Sequence, residues 1–455
     1  MTTLKKIDNL TVPAIENSLA LFDLPPTVVS YIKTVEKELL PLNTITRDGP
    51  YHFRIFSDTN FIDLSRTYIQ MTTSIEKQDG NNWVPLAETL DDKNTGVKNN
   101  FAHTFIKQLK ISINNVEVYN SGITYPYLAY LKKEFMTPYN ENLGGTACYY
   151  PDRNTEKWDQ DDVTNYGLKC RIERYKKGMK TNTYARLEFD LANQNRLILS
   201  NSDIVFSIWS SSDRFLIHAP PYMNKANPPQ KVANATTYRI KIHDIRLFCT
   251  LVDVVQSLNN SIARQLESTP AKYPMKKMEI RSLFLPEGMQ NLSFNCFQTV
   301  IPRRIFVFFV ATDAFNGNPE LSPFNFQHCK VRTISAESGG ILVPAAPYML
   351  DFSENNDDFP RAFNDFISGL DMENNQLQLA IEHYIKGWCG FCFDFRSYKR
   401  ELGDAFELIK NGTTVIKVNF AEAIGEGGKQ LIILGEFDQV LTMSNDRVIS
   451  MDGSI

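Results

Sequence analysis

Nowhere in this chain do about 18 apolar residues run together, so the sequence offers no helix able to span a bilayer. Its opening, MTTLKKIDNLTVPAIENSLALF, has no continuous apolar core and no small-residue cleavage site, so a secretory leader is not expected. Cysteine is sparse and odd in number, seven in 455 residues, which argues against a disulfide framework and fits a reducing compartment. The six histidines (His52, His103, His218, His243, His328 and His383) are scattered, with no His-X-X-X-His or Cys-His spacing of the kind that binds zinc. A basic stripe is also missing. The formal charge is −4, and KKEF (132–135) and RYKKGMK (174–180) are short and interrupted, so sequence-specific nucleic-acid binding is not expected. There is no Gly-X-Ser-X-Gly elbow, and GEGGKQ (425–430) lacks the Gly-Lys-Ser/Thr of a phosphate loop and reads as a hairpin turn. The expectation is a protein without catalytic, cofactor or metal residues, and not an enzyme.

One motif runs against this. GWCGFCFDF (387–395) contains Trp-Cys-Gly-Phe-Cys, the pattern of a thioredoxin-like thiol site. That chemistry needs the cysteines at a helix N-terminus, where free N–H groups and the helix dipole lower the thiol pKa. After Cys392 the chain instead alternates, Phe393-Asp394-Phe395-Arg396, as a strand does. Residues three apart in a strand face opposite sides, so Cys389 and Cys392 are expected to point apart and stay inert.

What the chain has in quantity is aromatic residues, with 30 Phe and 19 Tyr, and these favour pleated surfaces. Alternating segments recur: YHFRIF (51–56), FIDLSRTYIQMTTSIEK (61–77), FIKQLKISI (105–113), YARLEFDL (184–191), RLILSNSDIVFSIW (196–209), YRIKIHDIRLFCTLV (238–252), RRIFVFFVAT (303–312) and QLIIL (430–434). Helical periodicity is confined to YPYLAYLKKEFM (125–136), part of 251–268 and FPRAFNDFIS (359–368). The pattern predicts an all-β sandwich or barrel with helices inserted in its loops.

Landmarks also repeat in order. VEVYNSGITYPYLAYLKKEF (116–135) is matched by a strand, a Gly turn, Pro347-Tyr348 and a helix within 333–368. EFDL (188–191) is matched by CFDF (392–395), and SSDRFLI (211–217) by SNDRVIS (444–450). Two tandem copies of one β fold are expected, split by HAPPYMNKANPPQKVANATT (218–237), whose four prolines read as a linker. The expected division is an arm at 1–40, a first unit at 41–217, the linker at 218–237 and a second unit at 238–455.

Against this background LPLNTITRDGPYHFRIFSDTNFIDLSRTYIQMTTSIEK (40–77), with FIKQLKISINNVEVYNSGITYPYLAYLKKEF (105–135), resembles the major capsid proteins of Polinton/Maverick elements and related adenovirus-like and virophage-like double-stranded DNA viruses. The residues that carry the likeness are Pro41, Asp48-Gly49-Pro50, Ile62-Asp63-Leu64 with Thr67, Asn114 and Tyr125-Pro126-Tyr127; YPMKKMEIRSLFLPEG (273–288), Pro302, Gly317, Asn318-Pro319, Pro323-Phe324, Phe326 and FCFDF (391–395) extend it. The resemblance implies a fold of two tandem eight-stranded jelly-roll sandwiches. It also implies a homotrimeric, pseudo-hexameric capsomer, a lattice of such capsomers in an icosahedral virion shell assembled inside the host cell, and penton and minor capsid proteins as further partners.

On that reading the loop-helix aromatics are candidates for subunit contact: Tyr125, Tyr127, Tyr130 and Phe135 in the first copy, and Phe359, Phe363 and Phe366 in the second. The competing reading packs them against their own sandwich, since a helix first buries its apolar stripe at home. The arm, through Leu21, Phe22 and Leu24, is a candidate tie between neighbouring capsomers. A different class of function remains open, a tandem sandwich that binds carbohydrate or a cell surface, for which SENNDDF (353–359) is the acidic loop to inspect.

Overall fold

A computed structural model describes residues 10, 17–19, 21–22, 24, 26–89, 92–137, 142–152, 165–223, 226, 230–353, 358–371, 379–398 and 405–452. The first half lays down β1 (Tyr31–Leu39), β2 (Tyr51–Ser57), β3 (Phe61–Asp79), β4 (Asn82–Pro85), β5 (Ile106–Ile113), β6 (Val116–Asn120), β7 (Thr181–Arg186), β8 (Ser202–Ser210) and β9 (Tyr238–Val254). They form two antiparallel sheets. One runs β1-β9-β3, with β7 and the short β4 both on β3; the other runs β2-β8-β5-β6. The period of two decides which face is core: in β2, Tyr51, Phe53 and Ile55 are buried while Arg54 and Phe56 between them stay in solvent.

The second half repeats this with β10 (Ala271–Leu285), β11 (Asn291–Phe297), β12 (Arg304–Ala311), β13 (Val331–Ser338), β14 (Ile341–Met349), β15 (Gly390–Asp394), β16 (Thr414–Phe420), β17 (Lys429–Met443) and β18 (Ile449–Asp452). Its sheets run β10-β17-β12-β15, with β18 on β17, and β11-β16-β13-β14. With the short β4 and β18 set aside, both halves share one order. The first, eighth, third and sixth strands make one sheet; the second, seventh, fourth and fifth make the other. That is the jelly roll, and the chain contains it twice.

The pairing moves the expected boundaries. Tyr238–Val254 is the eighth strand of the first roll, hydrogen-bonded along its length between β1 and β3, rather than the start of the second. The proline-rich 218–237 is thus a loop within the first roll, and the connection between rolls is the helix Gln256–Leu266. The supposed arm also gives up Tyr31–Leu39, which pairs with β9 as the first strand. The misplacement traces to the third landmark. SSDRFLI follows a seventh strand and SNDRVIS an eighth, so the two phrases are not equivalent. Of the first landmark the helix holds, since α1 (Tyr125–Phe135) and α4 (Pro360–Gly369) each follow a fifth strand and each carry proline in the first turn, where its missing N–H costs nothing, but Pro126-Tyr127 lie in α1 while Pro347-Tyr348 lie in β14. Between them in the chain lie α2 (Tyr166–Tyr175) and α3 (Gln256–Leu266).

These inserted helices explain one departure from alternation. β12, Arg-Ile-Phe-Val-Phe-Phe-Val-Ala, is buried at every position up to its last. Phe309 packs inward on Phe391 and Phe420, while Phe306 and Phe308 point out against Phe366 of α4. Gly390 makes this packing possible: a Cβ there would lie 2.4 Å from Phe308 and 2.7 Å from Phe366. The glycine of the thiol-like motif is thus a packing residue. Gly390→Ala is expected to destabilise the protein by about 1–3 kcal/mol, the usual cost of overpacking a dense core, read as a lowered urea midpoint with unchanged slope.

Candidate functional site

The loop-helix aromatics converge where the two rolls meet. Tyr130 stacks flat on Phe324 with centroids 4.0 Å apart, and Tyr127 stacks on Phe315 at 5.3 Å and meets Phe324 edge-on. Phe135 packs on Phe308 and, edge-on, on Phe366. α1 of the first roll is thereby wedged against β12, α4 and the 312–326 segment of the second. Tyr125, Tyr127, Tyr130, Phe135, Phe359 and Phe366 are all buried within one chain, and Phe363 is partly so against Tyr384. Six of the seven are therefore packed against their own chain, as the competing reading expects, while Phe363 keeps part of its ring in solvent. Their apolar stripe is spent inside the chain, where each aromatic pair adds about 0.5–1.5 kcal/mol beyond its buried area.

Polar contacts extend the same seam. The buried Lys98 donates to the carbonyls of Pro319 (3.0 Å) and Leu321 and approaches His218 Nδ1 at 3.3 Å. Gly317, at φ +96°, packs so closely on Phe215 that a Cβ would sit 2.9 Å from its backbone nitrogen. Trp388 Nε1–H donates to Glu134 on α1 at 3.1 Å, and Tyr149 O–H donates to the same carboxyl at 2.6 Å. Elsewhere Asp190 accepts the Met278 N–H (3.2 Å), Leu199 N–H donates to the Tyr273 hydroxyl (3.3 Å), and Arg447 donates to the Ser200 carbonyl (2.7 Å). Glu134 gave no motif in the sequence, and Asp190 stood only in the EFDL landmark. Their contacts between the rolls are recognisable only once the rolls are docked.

Burial holds several ionisable groups in this region off their ordinary values, His103 and Asp190 among them. Burial pushes the His103 pKa down to about 4. The Tyr125 hydroxyl accepts the Glu188 N–H at 3.1 Å and lies 3.1 Å from His103 Nδ1. Burial pushes the Asp190 carboxyl the other way, to about 6. The histidine contributes stability that is present above its unfolded value of about 6.5 and is lost as pH falls towards 4; Asp190 contributes stability present below about 3.9 and lost as pH rises through 6. Removing the histidine separates the two. His103→Gln is expected to flatten the loss of stability between pH 6.5 and 4 by up to about 3 kcal/mol in urea titrations.

The thiol motif lies as the strand pattern requires. Cys392 is within β15 and Cys389 just precedes it; both are buried and unpaired. Cys389 lies against Tyr384 and Cys392 against Gly369, so they have different surroundings. Burial raises both thiol pKa values, outweighing Arg304 and Arg396 beside Cys392. Neither cysteine should react with iodoacetamide in the native protein, while both should in urea, as peptide mapping would read.

Charged groups near β15 are likewise structural. Arg303, Arg304 and Arg396 interleave with Asp371, Asp394, Glu436 and Asp438 in a buried network that ties β12, β15 and β17 to the end of α4. Among the described residues no three His, Cys, Asp or Glu side chains converge in a way that could hold a metal. Four residues of the acidic loop, 354–357, lie outside the described residues. No helix among the described residues is long and apolar enough to cross a membrane.

The outer surface is more informative. β14, Ile-Leu-Val-Pro-Ala-Ala-Pro-Tyr-Met, has no charge, yet only Tyr348 is buried, and it forms the open edge of its sheet. Pro344 and Pro347 remove two N–H donors from that edge, so it resists pairing with a foreign strand while still offering apolar side chains. Leu408 and Ile409 add a second exposed apolar patch. Sequence periodicity could not separate these from core residues, because both are simply apolar.

No known protein-family profile matches the chain. An uncharacterized protein of Caenorhabditis elegans is 25% identical over 414 residues, spanning 88% of this chain and 93% of that one. Among solved structures, a chain of the Sputnik virophage superposes at a TM-score of 0.66 with 11% identity, covering 98% of this chain and 94% of that one. The Faustovirus major capsid protein gives 0.55 at 8% identity (96% and 93% covered), and the mavirus major capsid protein 0.51 at 12% (99% and 96%). The fold is thus that of the double jelly-roll major capsid proteins, over essentially the whole length of both chains.

Proposed function

We propose that the protein is a major capsid protein, a non-enzymatic structural subunit that trimerises into a pseudo-hexameric capsomer and tiles an icosahedral shell around double-stranded DNA. The observation that carries this reading is the welding of two jelly rolls of identical strand order, side by side, through one aromatic core. Two similar walls per chain, taken three times about an axis, give six similar walls, and a near-hexagonal block can tile a closed lattice. The likeness to the Faustovirus and mavirus major capsid proteins over the full chain supports the same conclusion. Its partners on this reading are other copies of itself, then the penton and minor capsid proteins of the same particle, and it resides in the virion.

The seam aromatics are unavailable for trimer contacts, so those contacts fall to exposed apolar surface. β14 is the leading candidate, with Ile341 and Met349 at its two ends. Obligate interfaces bury roughly 2,000–5,000 Å² and are more apolar than ordinary surface, which suits an uncharged wall. The purified chain is expected to run as a trimer in light scattering and to show six-lobed, near-hexagonal particles by negative-stain microscopy. Ile341→Glu with Met349→Glu should yield a folded monomer. A wild-type monomer that binds glycan arrays would overturn the assignment.

A further inference from the structure

The outer face of one sheet is covered in the second roll and bare in the first. In β12 the outward residues are Phe306 and Phe308, and β17 sets Leu434 and Ile432 directly beside them. All four are buried. Their cover comes from Phe366 of α4 and, across the seam, from Phe135 of α1, which packs on both Phe308 and Phe366. The first roll builds the same face on its third, eighth and sixth strands. There Tyr68 of β3 is flanked by Phe248 of β9 and Arg186 of β7, and Gln70 by Arg246 and Tyr184. Each of these six side chains keeps part of its surface in solvent.

Three aromatic rings from three strands gather on this bare face. Tyr68 stacks on Tyr184 with centroids 4.9 Å apart and planes 8° from parallel, and Phe248 leans on Tyr184 at 5.9 Å. Glu36 accepts from the Tyr184 hydroxyl at 3.2 Å, and Glu38 pairs with Arg246 at the same edge. Cross-strand contact accounts for the rings touching one another but leaves their outer surface wet. An aromatic centre ringed by arginines and carboxylates has the make-up of a protein interface, where Tyr, Phe and Arg are enriched.

The chain itself shows what covers such a face: the loop helix of the other kind of roll. Within the chain α1 performs that task. Its counterpart α4, which also follows a fifth strand, turns Ala362, Phe366 and Gly369 inward. Phe363 and Ile367, four apart and so on one stripe, stay half-exposed, with Asn364 and Ser368 exposed beside them. We infer that α4 of one copy packs along Phe363 and Ile367 on the Tyr68–Tyr184–Phe248 face of a second copy, repeating between chains the contact that α1 makes within one. The contact is head-to-tail, so an open string of copies leaves one face and one helix unused, and closing on three copies uses them all. The inference deepens the capsid reading and rests on it for the neighbouring copies. It adds a contact separate from β14, which lies in the second roll's other sheet.

The test uses full-length chains carrying Gln70→Cys, Asn364→Cys or both, oxidised beside the parent chain as control for the native thiols. An equimolar mixture of the two single variants is expected to give a disulfide-linked dimer on non-reducing gels that neither gives alone. The double variant should go on to a covalent trimer, with mass spectrometry placing each bond between positions 70 and 364. Separately, Tyr68→Ala with Phe248→Ala, its strand content checked by circular dichroism, should raise the concentration at which trimers dissociate at least tenfold. Links confined within one chain, or an unchanged dissociation in a folded variant, would overturn the inference; the cross-link result stands whether or not that variant folds. Light scattering on the same samples separates the two readings: trimers without the 70–364 bond overturn the α4 contact alone, whereas a monomeric parent chain overturns the capsid reading as well.

Discussion

The contact on which the rest of the molecule depends is the wedging of α1 between the two jelly rolls. A sandwich can be stable alone, but its loops ordinarily end in water. Here the helix after the fifth strand of the first roll inserts Tyr127, Tyr130 and Phe135 into aromatic surface supplied by Phe315, Phe324, Phe308 and Phe366 of the second. Flat stacking at 4.0 Å leaves little freedom for the rolls to rotate, because sliding one ring off the other exposes both. A fixed angle between two similar walls is what a tiling unit needs and what a flexible tandem repeat lacks.

That rigidity has a cost in buried polar groups, which the seam meets in part: the Tyr127 hydroxyl and His218 Nε2 are buried without a hydrogen-bond partner. Lys98 donates to backbone carbonyls of the second roll, and Glu134 is held by an indole N–H and a phenol. Asp190 and His103 sit where burial favours their neutral forms, with opposite consequences for pH. Around β15 charged groups pair with one another, three arginines interleaved with four carboxylates. The molecule keeps these groups where they specify docking and register, and leaves its outer β14 wall apolar.

Much of the fold was readable in one dimension because the signals were local. Alternation marked the strands, and the 3.6-residue period marked 125–136 and 359–368, each within one residue of the helix found. Asp394 and Phe395 after Cys392 were enough to turn a redox-like motif into a strand. The division between rolls was not readable. Which sheet Tyr238–Val254 joins depends on hydrogen bonds to residues some 170 positions earlier, and four prolines in 218–237 look the same in a linker as in a long loop. Similar phrases at 211–217 and 444–450 misled because short strings of Ser, Asp and Arg suit any turn that leaves a strand.

The sequence by itself determined the class: an all-β chain, aromatic-rich, built twice on one plan, with Cys392 of its redox-like motif in a strand. These follow from side-chain periodicity, which each residue carries regardless of its neighbours in space. Only the tertiary structure decided what the aromatics are for. Tyr130 and Ile341 are both apolar residues beside a turn or edge, yet one is sealed in the seam and the other stands in solvent. Burial is a property of the docked rolls, set by which surfaces remain once the chain has covered itself.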